Sequence, residues 1–125
     1  MPITDYHFEN RIFFAKESGD ISKEDAQQWV KRLQKTASSS ELPIVALVDV
    51  MEVHSVLRAA EQLFIEGAYT ENLLAVLVAT NAVVSVQART IGLLGKRGHT
   101  RIFNSLDDAR SHAEWIVSQH KSAPV

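Results

Sequence analysis

Residues 42–53 constrain the fold of this chain more than any other segment. They contain an almost uninterrupted apolar run at positions 44–50, which is rich in β-branched residues and follows Pro43. A strand with one face in water alternates apolar and polar residues, so this continuous run predicts a strand that is buried on both faces. A second run of the same kind, at residues 73–79, follows after a helical interval. The two runs together predict a sheet that is covered by helices on both sides.

The segments around these runs predict the element order β-β-α-β-α-β-α-β-α. Two opening strands, at residues 6–9 and 11–18, are joined by a tight turn at Asn10, and the dipeptide Gly19-Asp20 is expected to end the second strand. Strands that alternate with helices of about 10–15 residues are typical of right-handed crossovers in a parallel sheet. We therefore predict an α/β fold with a mostly parallel five-stranded sheet, in which the first strand is antiparallel.

The helix positions follow from apolar spacing and from capping residues. Ser22 opens the first helix, with Asp25 in the acidic position of a capping box. A brief loop at residues 51–55 is expected to precede the second helix. The third helix is expected at residues 82–96, and the last one follows a short strand at residues 101–103.

The composition indicates one globular domain over residues 1–125. With 46% hydrophobic and 22% charged residues, the chain falls in the ordinary globular range. The net charge of -2 supplies no basic field for nucleic acid. No apolar run approaches the ~18–20 residues of a membrane span, and no signal peptide is recognisable. Together with the absence of cysteine, these features lead us to expect a cytoplasmic protein with no nucleic-acid partner and no integral membrane segment.

The element order and three short motifs resemble the STAS superfamily of SpoIIAA-like anti-sigma-factor antagonists, including its lipid-binding-like branch near the CRAL-TRIO domains. The motifs are residues 18–22 (SGDIS) before the first helix, residues 47–49 (LVD) in the core strand, and an ending formed by residues 101–103 with Ser105, Asp107, Ala109, Trp115 and Ile116. The resemblance implies a SpoIIAA-like fold over nearly the whole chain. It also implies a module that acts through protein contacts or, in the lipid-binding-like branch, a carrier.

The phosphorylation motif of the superfamily is absent or altered in this chain. Phosphorylatable antagonists carry Asp-Ser-Ser-Gly at the start of the second helix, where the serine is the switch. The corresponding residues 51–57 read MEVHSVL, with one serine and no glycine. Ser55 is therefore the residue that would inherit such a switch.

Six polar residues near the carboxyl ends of the two buried strands form a candidate ligand- or partner-binding set. Open parallel sheets bind ligands at this edge, where helix N-termini also present free amides. The set comprises Asp49, His54, Ser55, Arg58, Thr80 and Asn81. At the predicted start of the second helix, His54, Ser55 and Arg58 would either meet an anion or an acidic partner, or form a solvated helix start.

The other three members of the set have a stronger structural interpretation. Asp49 would serve as a general base or a metal ligand, but an aspartate that ends a buried strand more often caps adjacent loop amides. Thr80 and Asn81 are expected to cap the third helix rather than to take part in chemistry.

The third helix carries more apolar surface than one contact requires. Val83, Val86 and Leu93 widen its apolar stripe, and the basic residues Lys96 and Arg97 follow near its end. Either a neighbouring helix covers this excess, or it forms a homodimer interface or a pocket for an apolar ligand. The basic residues would contact an acidic partner or lipid headgroups.

No catalytic or metal-binding pattern is present in the sequence. The five histidines show no H-E-x-x-H spacing, and there is no G-x-S-x-G nucleophile elbow. We therefore predict a non-enzymatic regulatory module without metal or cofactor, which binds a protein partner or a second copy of itself. The alternative is a carrier or sensor of a small apolar or lipid-like ligand, and an enzyme is the third hypothesis.

Overall fold

Within residues 3–94 and 100–120, which the computed structural model describes, five strands and four helices follow one another in the predicted order. The elements are β1 Ile3–Glu9, β2 Ile12–Ile21, α1 Lys23–Ser38, β3 Ile44–Val56, α2 Arg58–Gly67, β4 Leu73–Thr80, α3 Ser85–Leu94, β5 Thr100–Phe103 and α4 Leu106–Gln119.

The five strands form one sheet in the order β1-β2-β3-β4-β5. Strand β1 pairs antiparallel with β2, and the remaining neighbours pair in parallel, which confirms the predicted fold class. Successive crossovers in one direction bring α1, α2 and α3 to the same face of the sheet. On that face α1 packs against α2 and α2 against α3, whereas α4 packs against β3 and β4 on the other face.

The sheet separates two hydrophobic cores, and its central strands contribute to both. The first core contains Phe13 and Val48 beside Trp29 of α1. The second contains Phe14 and Leu47 beside small residues of α4. Because successive side chains of a strand point to opposite faces, adjacent residues of β2 and β3 enter different cores. Every residue from position 44 to position 50 is buried, as the continuous apolar run predicts.

Both central strands extend further than their sequences indicate. The dipeptide Gly19-Asp20 lies inside β2 instead of ending it, and β3 continues through the predicted loop at residues 51–55. The two extensions pair with each other, with Gly19 opposite Val53 and Ile21 opposite Val56. The register shifts between Gly19 and Asp20. Gly19 has a φ of 70°, which glycine adopts readily, so this turn residue forms an irregularity within a strand.

The third helix begins later than predicted, at Ser85 instead of residue 82. Residues 82–84 form a turn. The Asn81 Oδ1 atom accepts a hydrogen bond from the backbone N–H of Val84 at 3.0 Å. This local side-chain bond supports a turn before the helix instead of a first helical turn.

The predicted capping box at the first helix is confirmed. The Ser22 Oγ atom accepts from the Asp25 backbone N–H at 3.3 Å, and Asp25 Oδ2 accepts from the Ser22 backbone N–H at 2.9 Å. At α4, Ser105 Oγ accepts from the backbone N–H of Asp108 at 3.1 Å. These caps start α1 and α4 where the preceding strand or turn ends.

The close approach of α1 and α2 depends on Gly67. A Cβ atom at this position would lie 2.7 Å from Cζ3 of Trp29, a buried ring that also contacts the Phe64 ring at a centroid distance of 5.2 Å. We expect Gly67→Ala to lower the free energy of unfolding by about 1–2 kcal/mol, because overpacking outweighs the helix preference of alanine. Urea unfolding followed by circular dichroism measures this change.

The double variant Gly67→Ala/Trp29→Phe is the control for this prediction. The smaller phenyl ring removes the atom that a new methyl group would meet. Gly67→Ala should therefore lower the free energy of unfolding by less in the Trp29→Phe background than in the wild type. Equal costs in the two backgrounds would contradict the steric explanation.

Candidate functional site

A cavity of about 60 Å³ lies between the sheet and helices α2 and α3. Its floor includes Val48 of β3 and Val76 of β4, and its opposite wall includes Phe64 of α2 and Ala88 of α3. Apolar side chains dominate the lining, but one of the lining residues is Glu17 of β2. This combination of an apolar pocket and a titratable group makes the cavity the first candidate site.

Strand alternation explains how Glu17 reaches the interior. Phe13, Ala15 and Glu17 follow at intervals of two on β2 and therefore point to the same face. Phe13 and Ala15 belong to the core beneath α1 and α2, and the Glu17 side chain follows them with only 1% of the residue exposed. Its Oε2 atom has no hydrogen-bond partner among the described residues.

Burial and neighbouring negative charges both change the protonation of Glu17. Burial is the larger cause and, together with the carboxylates of Asp25 and Asp49, raises the pKa of Glu17 from 4.5 to about 8. Each cause opposes the charged form of the carboxyl group. Glu17 is therefore mostly protonated at pH 7, with an O–H group that can donate a hydrogen bond.

Two further polar atoms on this face lack a partner among the described residues, namely the Tyr6 hydroxyl and Trp29 Nε1. Burial, followed by the negative charge of Glu17, raises the pKa of Tyr6. The guanidinium of Arg32 lies 4.4 Å from the centre of the Tyr6 ring and acts in the opposite direction. Buried polar groups without partners are rare in native proteins and concentrate at strained or functional sites.

The predicted residues Thr80 and Asn81 have structural contacts at the end of β4. Asn81 Nδ2 donates to the carbonyl oxygens of Met51 at 2.7 Å and Val53 at 2.9 Å. Thr80 is buried, and its Oγ1 atom donates to the Asn81 carbonyl at 3.2 Å. Because Asn81 Oδ1 also caps Val84, this one side chain joins the extension of β3 to the start of α3.

Asp49 also makes the local contact that its sequence position favours. It is 6% exposed, and its Oδ1 atom accepts from the Met51 backbone N–H at 3.0 Å. It pairs across the sheet with Lys16 of β2, so it lies on the strand face opposite to Glu17. Asp49 therefore affects the candidate cavity through its charge and is not part of the lining.

The positions of His54 and Ser55 differ from the prediction. Both lie on the extension of β3 and not at the start of a helix, because α2 begins at Arg58. Ser55 Oγ donates to Asp20 Oδ1 at 2.8 Å, which links the two extended strand ends. His54 and Arg58 are exposed. Ser55 therefore does not reproduce the superfamily motif, in which the phosphorylatable serine lies at a helix N-terminus.

The apolar residues predicted for an interface are exposed where the structure describes them. Val83 is 73% exposed and Val86 is 72% exposed. Gln87 Nε2 donates to the Val56 carbonyl at 2.9 Å, and this hydrogen bond holds the first turn of α3 beside the end of β3. Leu57, the residue after Val56, is 51% exposed. We call Leu57, Val83 and Val86 the rim patch.

The remaining predicted interface residues cannot be added to the rim patch. The side chain of Leu93 and the whole of Lys96 and Arg97 lie outside the described residues.

Glu17 is the functional candidate that sequence reasoning missed. The available signal was its spacing of two from Ala15 and four from Phe13 on a strand with apolar residues on both faces. That pattern assigns Glu17 to an interior face. The neighbouring turn signal Gly19-Asp20 favours the opposite interpretation, because a residue near a strand end is commonly solvated.

A metal centre and a membrane-spanning helix are two alternative functional features. Residues 3–94 and 100–120 contain no group of three or more His, Cys, Asp or Glu side chains that would hold a metal ion. Of the helices described in the same ranges, none combines the length and the apolar character that crossing a bilayer requires.

The contacts of Asn81 predict a large structural effect for its removal. Asn81→Ala removes the acceptor for the Val84 N–H before α3 and the donor to three backbone carbonyls of β3, so we expect a loss of about 2 kcal/mol in the free energy of unfolding. Asn81→Asp is the matched variant, because it retains the oxygen that caps Val84 but not the donor. A loss below about 0.5 kcal/mol for both variants would contradict this structural role.

The raised pKa of Glu17 predicts that stability falls as the pH rises. Between pH 4.5 and about 8 the folded state holds a proton that the unfolded state has released. The free energy of unfolding should therefore fall by at most about 1.4 kcal/mol per pH unit in this window and level off above it. Glu17→Gln should remove this slope, so wild type and variant should differ most at pH 9. Parallel urea titrations from pH 5 to pH 9 test this, and identical slopes would contradict it.

Comparisons with known proteins support the fold. No protein-family model and no curated protein matches the sequence. Among solved structures, the chain is similar to an uncharacterized protein of the DUF3478 family from Shewanella loihica PV-4, which has a SpoIIAA-like fold. The TM-score is 0.63 at 18% sequence identity, over 89% of this chain and 91% of the other. The chain therefore has the SpoIIAA-like fold that its motifs predict.

Proposed function

We propose that the chain is a non-enzymatic, STAS-like interaction module that binds a protein partner through the rim patch. The observation that carries this proposal is the exposure of Val83 and Val86, at 73% and 72%. Large apolar side chains that cluster on a surface are typical of contact sites, because their burial by a partner removes apolar area from water.

The rim patch is held in place before any partner binds. Asn81 ties the extension of β3 to the turn before α3, and Gln87 ties the first turn of α3 to Val56. A surface that is already ordered loses less conformational entropy on binding. Arg58 directly follows Leu57 and His54 lies three residues before it; both are exposed and favour a partner with acidic residues around an apolar centre.

Replacement of an exposed valine by a charged residue tests this function. Val86→Asp should leave the fold intact and weaken partner binding by about 2 kcal/mol or more, which is about 30-fold in Kd, because the carboxylate would be desolvated in the contact. Quantitative affinity capture from host lysate, with light scattering for self-association, measures binding to another protein and to a second copy.

Trp115→Asp is the matched control, since Trp115 is also an exposed apolar residue but lies on α4, across the sheet. The proposal requires proteins, or a dimer, that wild type and Trp115→Asp retain and Val86→Asp loses. Equal retention by all three would contradict it. Equal unfolding midpoints for the three proteins are needed to assign the loss to the surface.

The cavity favours a second candidate function, that of a carrier or sensor of a small ligand. A volume of about 60 Å³ is less than half of the ~150 Å³ apolar cavity that holds benzene in an engineered protein. A lipid chain would therefore require α2 and α3 to move apart, whereas a compound of a few carbon atoms requires less rearrangement.

The two candidate functions predict different sensitive residues. Ala88→Leu fills the cavity from α3 and should abolish ligand retention, measured by native mass spectrometry, without affecting capture of a protein partner. Val86→Asp, two residues earlier on the same helix, should have the opposite effect. Loss of both properties in one variant would indicate that a single site serves both.

A further inference from the structure

We propose that the cavity beside Glu17 binds a small primary amine, with the ammonium group against the Glu17 carboxylate and the alkyl part against the apolar floor. This inference rests on the cavity of the second candidate function and is independent of the rim patch. It assigns the chemical class of the ligand, which the apolar lining alone does not.

The buried carboxyl group of Glu17 lacks a partner. Glu17 lines the cavity, is 1% exposed, and its Oε2 atom has no hydrogen-bond partner among the described residues. The ion pairs within these residues join Lys16 to Glu52 and His7 to Asp5, and neither includes Glu17. The cavity therefore contains a carboxyl oxygen without a hydrogen-bond partner, and an ammonium group offers three N–H donors to this carboxyl group once it is ionised.

The charges around Glu17 favour a cation. The titratable or charged groups that interact with it electrostatically are Tyr6 of β1, Asp25 of α1 and Asp49 of β3. Of the cations near these groups, Arg32 of α1 lies over the Tyr6 ring, and Lys16, which precedes Glu17 on β2, pairs with Glu52. Asp25 and Asp49 both raise the pKa of Glu17, so the potential at the carboxyl group is negative. This potential makes the binding of a cation more favourable, repels an anion and has little effect on a neutral alcohol.

The rest of the cavity is small and apolar. Its volume of about 60 Å³ and its walls of valine, alanine and isoleucine side chains suit a chain of about three carbon atoms. The indole ring of Trp29 lines the cavity together with Glu17. Aromatic rings attract cations as well as alkyl groups, so a lining that includes an indole ring is compatible with an ammonium group.

Because an ammonium group pairs with the ionised form of Glu17, the affinity for an amine should change with pH in a defined direction. An ammonium ion pairs with ionised Glu17, so binding displaces the carboxyl proton to solvent. With a pKa of about 8, the ionised fraction rises about tenfold between pH 7 and pH 9, and affinity for an amine should rise by the same factor. A neutral ligand that accepts the proton of Glu17 in a hydrogen bond should instead lose affinity about tenfold.

The experiment compares three probes of equal length, n-propylamine, 1-propanol and propionate. Each is titrated into ¹⁵N-labelled protein at pH 7 and pH 9, and amide shifts of cavity residues such as Val48 and Val76 report binding. We expect propylamine to bind most tightly, with an affinity about tenfold higher at pH 9, and propionate not to bind. Glu17→Gln should abolish amine binding, and the cavity-filling Ala88→Leu should do so with Glu17 intact.

The outcomes separate the amine inference from the carrier function. If 1-propanol binds as tightly as propylamine, or if Glu17→Gln leaves amine binding unchanged, the amine inference is wrong and the carrier function remains. Shifts confined to exposed acidic residues, or an affinity that falls with pH, also overturn it. If no probe shifts the cavity residues, both the inference and the carrier function for small ligands are wrong.

Discussion

The parallel pairing of β2 with β3 is the interaction on which the rest of the structure depends. The pairing runs from Ile12 opposite Val45 to Ile21 opposite Val56, beyond the length that either apolar pattern indicates. Because both strands have buried residues on each face, their register determines which side chain enters which core. A shift of one residue would exchange the two cores, so the register is strongly specified.

The same pairing accounts for the buried carboxyl group. Once Phe13 and Ala15 face the core beneath α1 and α2, the alternation of the strand directs Glu17 to that face as well. Phe13, Ala15 and the other apolar neighbours stabilise this arrangement of the strand. As a consequence, the carboxyl group of Glu17 loses its hydration. An ionisable group that is retained at such a cost is typical of functional sites, and here it lies in a cavity with apolar walls.

The strand extension also determines the properties of the rim. Polar residues that would suit ligand binding, such as Asn81 and Ser55, are occupied by backbone and side-chain contacts that fasten β3 to its neighbours. The apolar residues beyond them, Val83 and Val86, are left in solvent. Polar groups at a strand end satisfy unpaired backbone groups first, so the exposed apolar residues provide the surface that a partner can cover.

Several features follow from sequence because their causes are local. The continuous apolar run at residues 44–50 is sufficient to predict a strand buried on both faces, and Ser22 with Asp25 is sufficient to predict a helix start. Element order and the spacing of strands and helices then restrict the topology, since crossovers between parallel strands have one hand. These inferences use interactions between residues that are close in the chain.

The tertiary structure alone decided where β2 and β3 end and what Glu17 faces. Gly19-Asp20 carries a turn signal, but pairing with residues more than thirty positions away along the chain keeps it within a strand. The cavity likewise combines side chains from four strands, β2 to β5, and from three helices, α1 to α3. Sequence determined the elements and their order because backbone propensity and caps act over a few residues. Register, burial of a charge and exposure of the rim patch depend on long-range contacts, which form only when the sheet and its helices pack together.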